Sequence, residues 1–193
     1  LHLPVCVVEE FGELLGYIDS DGSYSRQGRI SFGNTSEVLL DRFEYILRQF
    51  CLLEPKRIVG AEVGAKAPDG YRTTKRLFYS YVSSKLLVAF FDNLRKSLLR
   101  VDLAPLWGAY LRAFINGDGC VDVKGERIFI IQKGGAKQNL VVALLQRVGI
   151  PARFGSNDQC YITGARARRL LAILQSSSGP LTDKVCGLSF PDR

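Results

Sequence analysis

Two short segments of this 193-residue chain place carboxylates directly after an apolar run. They are LLGYIDSDG, which contains Asp21, and LRAFINGDG, which contains Asp118. If each run is a helix, the negative end of its dipole repels the acid that follows, at a cost of about 1 kcal/mol. A divalent cation reverses that repulsion. Carboxylates and the backbone carbonyls freed at a helix end, here those of Ser20 and Gly117, are hard oxygen ligands suited to Mg²⁺. The spacing therefore predicts a magnesium site of the kind that serves phosphodiester hydrolysis.

The two apolar runs have the pattern of helices over residues 12–19 and 109–116. Small residues lie four apart on one face of each, Gly12 and Gly16 in the first and Ala109 and Ala113 in the second. Such a flat stripe lets two helix backbones approach closely. The wider apolar face of each helix is predicted to enter the core; it carries Leu14, Ile18, Leu111 and Ile115. Two helices packed stripe to stripe about a twofold axis bring Asp21 and Asp118 side by side.

An internal repeat supports this arrangement, because the chain follows the same order after each acid. A glycine comes seven residues later, at Gly28 and Gly125, and an Ile-rich strand and an amphipathic helix follow, stopped by Pro55 and Pro151. The order helix, hairpin, helix, hairpin, helix occurs twice. It predicts an N-terminal half over 1–101, a linker over 102–105 and a C-terminal half over 106–193.

Ordinary turns and calcium EF-hands also place acids close together in sequence. Asp, Asn and Gly are common turn residues, so one copy alone favours a turn; two copies at equivalent places of a repeat favour a site. A calcium EF-hand needs Gly at position six and Glu at position twelve. Counted from Asp19, those positions hold Tyr24 and Ile30, and counted from Asn116 they hold Val121 and Arg127. The EF-hand is excluded.

The composition limits the classes of partner. A formal net charge of +7, spread along the chain, favours polyanions and nucleic acid first. No apolar run reaches the roughly 20 residues of a membrane span, and the N-terminus lacks a signal-peptide pattern. A cytoplasmic chain, in a prokaryotic or archaeal nucleoid, or one inside an organelle is the expectation, not a secreted one. Five cysteines without a CxxC pair and a single His2 support neither a zinc site nor a redox dithiol.

The paired motifs resemble the signature helices of the LAGLIDADG homing endonucleases in their single-chain, tandem and intron-encoded form. The resemblance implies an α+β fold of two pseudo-symmetric αββαββα halves. Two four-stranded antiparallel sheets would form a saddle, with the LAGLIDADG helices at the central interface. It also implies a monomer that cuts both strands of double-stranded DNA across the minor groove and leaves short 3′ overhangs. Mg²⁺ would be the cofactor, replaceable by Mn²⁺, whereas Ca²⁺ would bind without supporting cleavage.

The resemblance also assigns roles to residues at matching positions. Asp21 and Asp118 would be metal ligands, and Asn34 and Gln132 would be the polar residues that orient active-site water. A basic side chain near the end of each half would support the transition state. The candidates are Arg100 or Lys96 in the first half and Lys184 in the second.

The sequence departs from the family pattern at three positions. Leu15 and Arg112 stand where alanine is more usual, and Asn116 replaces the first Asp of its motif. These differences make the halves unequal, which suits a long, non-palindromic target.

A polar strand face would lie along the DNA groove, because Arg29, Ser31 and Gly33 alternate with Ile30 and Phe32. The expected DNA-binding residues lie on such strands and in the adjoining turns; they are Arg26, Arg29, Ser31, Arg72, Lys75, Arg76, Lys124, Arg127 and Lys133. The helical basic residues are expected to point outward and to be idle; they are Arg42, Arg48, Arg166 and Arg168.

The sequence leaves two alternatives to a DNA endonuclease open. One is a maturase that binds its host intron RNA, and the other is a DNA-binding regulator that has lost catalysis. Asp21 and Asp118 are both present, which favours the nuclease.

Overall fold

Six helices and seven strands make up the part of the chain that the computed structural model describes, residues 8–66, 72, 74–100 and 102–176. In chain order they are α1 Glu9–Asp19, β1 Gly22–Tyr24, β2 Arg29–Asn34, α2 Glu37–Cys51, β3 Lys56–Ala61, β4 Leu77–Ser83, α3 Lys85–Ser97, α4 Ala104–Asp118, β5 Gly119–Asp122, β6 Arg127–Ile131, α5 Ala136–Arg147, β7 Gln159–Thr163 and α6 Ala165–Ser176. The helices and strands that follow α4 come in the same order as those that follow α1, with one strand fewer. None of the described helices has the length and apolar character needed to cross a bilayer.

The strands form two antiparallel sheets. The first has four strands in the order β1-β2-β4-β3, and the second has three in the order β5-β6-β7. The expectation of four strands in the second sheet is wrong for the described part of the chain. There the missing strand is reduced to a single bridge between Phe154 and Cys160. Only three residues separate Pro151 from a tight turn, which is closed by a 2.8 Å bond from the Gly155 N–H to the Gln159 carbonyl, so a longer strand has no room to form.

Helices α1 and α4 pack against each other through their small residues. A β-carbon on Gly16 would fall on the carbonyl oxygen of Tyr110 and 2.8 Å from the β-carbon of Ala113. A β-carbon on Gly12 would meet the carbonyl oxygen of Leu106. The close approach of the two predicted helices is therefore confirmed.

The core lies on both sides of this helix pair. Leu14, Ile18, Leu111 and Ile115 are all buried, as predicted. In the first sheet the inward side chains Ile30, Phe32 and Val82 pack into one continuous core with α2 and α3. Their neighbours in sequence point the other way, so each sheet keeps one face that no described helix covers.

Burial of α1 on all sides explains why the expectation for Arg42 is wrong. Glu13 of α1 is almost fully buried, and Arg42 of α2, only 10% exposed, binds it with 2.8 Å between Nη2 and Oε2. The Tyr17 hydroxyl donates a second bond of 2.9 Å to Glu13. A buried carboxylate needs such partners, and the cation comes from the facing helix.

The other three helical arginines that were expected to point outward differ in their contacts and exposure. Arg48 binds the carboxylates of Glu44 and Glu54, and Arg168 binds that of Glu126 at 3.1 Å. Arg166 is exposed.

Candidate active site at the ends of the two central helices

Each acidic motif ends in a glycine because the strand that follows starts directly against its helix. A β-carbon on Gly22 would lie 2.6 Å from the α-carbon of Ile18, and one on Gly119 would lie 2.6 Å from the carbonyl oxygen of Ile115. No side chain fits at either place. The chain therefore turns sharply after Asp21 and after Asp118, and both carboxylates stay at the helix ends.

The ends of α1 and α4 are adjacent. A β-carbon on Gly117 would touch the Ser20 hydroxyl and lie 3.0 Å from Oδ2 of Asp21. Since Gly117 directly precedes Asp118, the carboxylate of Asp21 reaches across to the helix end that carries the other acid. The structure thus places Ser20 and Asp21 against Gly117, the residue before Asp118, and metal binding by these four residues stays a prediction.

A side-chain amide holds the carboxylate of Asp21. Nδ2 of Asn34 donates to Oδ2 of Asp21 at 2.8 Å, while Oδ1 of Asn34 accepts the backbone N–H of Ser36 at 2.8 Å. The second bond fixes the amide so that its NH₂ group faces the acid. Asn34 is the last residue of β2, at the end of the strand nearest to the helix end.

Gln132 occupies the equivalent place in the second half, one residue beyond β6. In the amide orientation that satisfies both polar atoms, Nε2 donates to Oδ2 of Asp118 at 3.2 Å and Oε1 accepts the N–H of Lys133 at 3.2 Å. Gln138 also donates to the Gln132 carbonyl at 3.0 Å. Each acid therefore has one amide partner at the end of the following hairpin.

The donor set at the helix ends suits a hard divalent cation. It offers two carboxylates and nearby backbone carbonyls, all oxygen. No cluster of three or more His, Cys, Asp or Glu side chains that could hold a metal exists among the described residues. A cation here would take few ligands from the chain, which is how Mg²⁺ is commonly bound beside substrate phosphates.

A buried ion pair beside the site was not expected from the sequence. Asp19 is fully buried, and Arg95 of α3 donates to both of its carboxylate oxygens, with 3.0 Å between Nε and Oδ2. The Tyr110 hydroxyl adds a bond of 3.1 Å to the same Oδ2. The backbone carbonyl of Asp19 accepts Nζ of Lys137, from α5, at 2.6 Å.

The electrostatics of this cluster follow from its burial. Burial raises the pKa of Tyr110 well above its ordinary value, and the charge of Asp19 and the bond to it raise that pKa further. Burial lowers the pKa of Arg95. The hydrogen bond to Asp19 and the negative charge of Asp19 outweigh the effect of burial, so the pKa is raised. Arg95 and Lys137 line a cleft of about 300 Å³ next to Asp19. The two basic side chains thus approach the site from opposite halves.

The basic residues expected near the site are Lys96, Arg100 and Lys184, and their roles stay predictions. Lys96 is exposed and binds Asp92 at 2.6 Å. Arg100 is exposed in the turn after α3, and Lys184 lies outside the described residues. The sequence did carry one signal for Arg95: it comes four residues after Phe91, on the apolar face of α3.

Comparisons with known proteins agree with this geometry. Residues 9–95 match the family model of the LAGLIDADG-like domain. The homing endonuclease I-DmoI in complex with DNA and Ca superposes with a TM-score of 0.67 at 18% identity, over 92% of this chain and 95% of that one. Its complex with DNA and Mn gives 0.63 at 17% identity, over 88% and 98%.

The N-terminal LAGLIDADG domain of DUF199/WhiA gives a TM-score of 0.60 at 16% identity, over 91% of this chain and 84% of that one. No curated protein sequence matches the chain. The fold is the LAGLIDADG fold. Of the two helices expected to be its signature helices, α1 lies within the residues that the family model matches.

The expected DNA-binding residues of this LAGLIDADG fold fall into three places. On the uncovered face of the first sheet, Arg29 lies over the ring of Tyr81 at 3.9 Å, and the Ser31 hydroxyl is 2.9 Å from that of Ser23. Exposed residues of the turns and of the β3–β4 loop are Arg26, Arg72, Lys75 and Arg76, the last bound to Glu62 at 2.8 Å. In the second half Lys124 and Lys133 are exposed, and Arg127 binds Asp122 at 2.8 Å.

Proposed function

We propose that this protein is a site-specific double-strand DNA endonuclease. It would hydrolyse one phosphodiester bond in each strand across the minor groove of a long, non-palindromic target and leave short 3′ overhangs. Mg²⁺ would be its cofactor, and it would act as a monomer encoded within an intron. The observation that carries the proposal is the placement of Asp21 and Asp118 at adjacent helix ends, each with its own amide partner.

Such a reaction needs a bound cation and groups that hold and orient its ligands. When bound, the cation would stabilise charge on the phosphate and on the attacking and leaving oxygens. Asp21 and Asp118 would hold it, and Asn34 and Gln132 would keep the two carboxylates oriented. Lys137 would add positive charge beside the site, whereas the charge of Arg95 is balanced by the carboxylate of Asp19.

Binding would begin at the uncovered sheet faces and their loops. Exposed ion pairs such as Arg76–Glu62 are weak, so a phosphate can replace the carboxylate partner. The similar structures of I-DmoI contain DNA, which supports the same class of ligand for this chain.

The experiment has two stages. A library of random DNA duplexes is first selected for binding to the protein in EDTA, and a recovered duplex is cloned into a supercoiled plasmid. Conversion of that plasmid to the linear form is then followed with Mg²⁺, Mn²⁺, Ca²⁺ or EDTA. Linear product is expected with Mg²⁺ and Mn²⁺ only. Asp21→Asn and Asp118→Asn should abolish it while the dissociation constant for the duplex changes little, since phosphate contacts dominate affinity.

Asp41→Asn is the matched control, because Asp41 is an exposed carboxylate on α2 that binds the guanidinium of Arg57 and lies on a different helix from either acid. It should cut as the wild type does. Selection of a duplex that the protein never cuts, under any of the metal conditions, would overturn the nuclease in favour of a DNA-binding regulator. Recovery of no duplex, together with tight binding to intron RNA, would favour a maturase.

A further inference from the structure

The backbone that carries each amide partner of the two acids is held differently in the two halves. Asn34 is the last residue of β2 and pairs in register with Phe78 of β4, which pairs on its other side with β3. Gln132 is in the equivalent register position, opposite Asp158, but it lies one residue beyond β6, and Asp158 lies one residue before β7. The described part of the second sheet has no strand in the place of β3. The ladder therefore ends before it reaches Gln132.

Asp158 makes the bonds that the shortened ladder does not supply. Its backbone carbonyl accepts the N–H of Gln132 at 3.0 Å. Its carboxylate oxygen Oδ1 accepts the N–H of Gly134 at 3.1 Å and Nε2 of Gln138 at 3.4 Å. Gln138 in turn donates to the Gln132 carbonyl at 3.0 Å. The segment from Gln132 to Gly134 is thus tied at both ends to Asp158, and Gln138 connects the same two residues.

The backbone of Asp158 has an unusual conformation for a residue with a side chain. Its φ of +58° lies in the left-handed region, where only glycine is free of strain. Its N–H closes a tight turn with the carbonyl of Gly155 at 3.2 Å. Glycine would make this turn without strain, so the turn alone does not account for an aspartate here. The carboxylate accounts for it, because Oδ1 holds the segment that carries Gln132. Strain of this kind is found most often at functional sites.

We infer that Asp158 is a positioning residue of the candidate site, which fixes Gln132 so that its amide faces the carboxylate of Asp118. The amide nitrogen of Gln132 lies 3.2 Å from Oδ2 of that acid, so a shift of the segment would break the contact. This inference rests on the proposed function and adds a residue that acts only through another residue. In the first half the ladder between β2 and β4 serves the same purpose for Asn34.

Asp158→Gly separates the role of the carboxylate from that of the turn. Glycine adopts a positive φ without strain, so the turn keeps its shape while the side-chain bonds are lost. Cleavage of the plasmid that carries the selected duplex should slow about 10-fold, the lower end of the cost of removing a group that orients a metal ligand. The Mg²⁺ concentration for half-maximal cleavage should rise as well.

Two further variants show whether the hydrogen bonds cause this loss. Asp158→Asn should retain most of the rate, because both side-chain bonds end on one oxygen, which an amide also offers, and asparagine tolerates a positive φ. Leu52→Gly is the matched control, since Leu52 also has a positive φ, of +51°, and its side chain is 64% exposed. It should cut as the wild type does.

A double variant shows through which residue Asp158 acts. In the background of Gln132→Ala, Asp158→Gly should change the rate by less than about twofold, because the side chain that it positions is already gone. The bond itself can be followed without DNA or metal. Exchange of the Gly134 amide proton with solvent, measured by NMR, should be faster in Asp158→Gly than in the wild type and in Asp158→Asn.

Full cleavage by Asp158→Gly overturns the inference and leaves the nuclease proposal standing. An equal loss with and without the side chain of Gln132 overturns it too, and so does an Asp158→Asn variant as slow as Asp158→Gly. Circular dichroism and thermal melting verify that each variant is folded. A wild-type protein that cuts no selected duplex overturns the proposed function itself, and with it any role of Asp158 in cleavage.

Discussion

Asn34 donates a 2.8 Å hydrogen bond from its side-chain amide to the carboxylate of Asp21 across the start of the first hairpin. Gln132 has the same relationship to Asp118 in the second half, at 3.2 Å. Both amides are themselves held by a backbone N–H through their oxygen atoms. The two halves therefore use the same device, an amide anchored at a strand end, to orient an acid at a helix end.

Asn34→Ala and Gln132→Ala should each lower the rate of DNA cleavage by roughly 10- to 100-fold, the usual cost of removing a group that orients a metal ligand. The Mg²⁺ concentration for half-maximal cleavage should rise, because each carboxylate gains rotational freedom. Plasmid linearisation at several Mg²⁺ concentrations measures both quantities. Gln49→Ala, at an exposed position of α2, is the control. Unchanged rate and metal dependence in both variants would show that the amides do not support the carboxylates.

The close contact between α1 and α4 leads to a second prediction, which concerns Gly16. Alanine is a better helix former than glycine by about 1 kcal/mol, so Gly16→Ala would stabilise the protein if space were available. A β-carbon there would meet the Tyr110 carbonyl and Ala113. We therefore expect the opposite sign, a loss of about 1–3 kcal/mol in the free energy of unfolding.

Urea denaturation measures that change. Gly134→Ala is the matched control, because its β-carbon would have no neighbour closer than 3.8 Å among the described residues. Its free energy of unfolding should change little. A stabilising Gly16→Ala would mean that the two helices are farther apart in solution than in the structure.

Substitutions at two equivalent positions of α1 and α4 should change the free energy of unfolding in opposite directions. Asp19→Asn removes the charge that balances the buried Arg95 and should cost about 3–5 kcal/mol. Asn116, at the same place in α4, is 1% exposed, and neither polar atom of its amide has a hydrogen-bond partner within the described part of the chain. Leaving such a group unpaired costs about 1–3 kcal/mol, so Asn116→Leu should raise the free energy of unfolding by about 1 kcal/mol. Equal destabilisation by both substitutions, in urea titrations, would contradict the burial of an unpaired amide.

The sequence was sufficient to predict the structural features that depend on the spacing of nearby residues and on the internal repeat. The small residues of α1 and α4, the glycines after Asp21 and Asp118, and the alternating strand of the first hairpin are all local patterns. The number of strands in the second sheet was not predictable in this way, because the missing strand depends on how few residues separate Pro151 from the tight turn after Phe154. The buried ion pairs were missed for a similar reason. A motif shows Asp19, but only the packed structure shows that Arg95 and Lys137, which are far apart in sequence, both contact it.

Two buried tyrosines make the stability of the protein sensitive to high pH. Burial raises the pKa of Tyr17 and of Tyr110 well above the ordinary value, and the charges of Glu13 and Asp19, respectively, raise them further. In the unfolded chain both ionise near pH 10. Since the folded state holds these protons more tightly, their contribution to stability is complete below about pH 10 and is lost as the pH rises from there toward the folded-state pKa.

The loss should approach 1.4 kcal/mol per pH unit for each of the two tyrosines. An alkaline titration followed by the ultraviolet absorbance of tyrosinate should show Tyr17 and Tyr110 ionising only together with the loss of circular dichroism. Tyr110→Phe should remove absorbance from the phase that accompanies the loss of circular dichroism. A single early phase in which all tyrosines ionise while the helices remain folded would contradict the burial of both hydroxyls, and with it the packing of Tyr110 against Asp19.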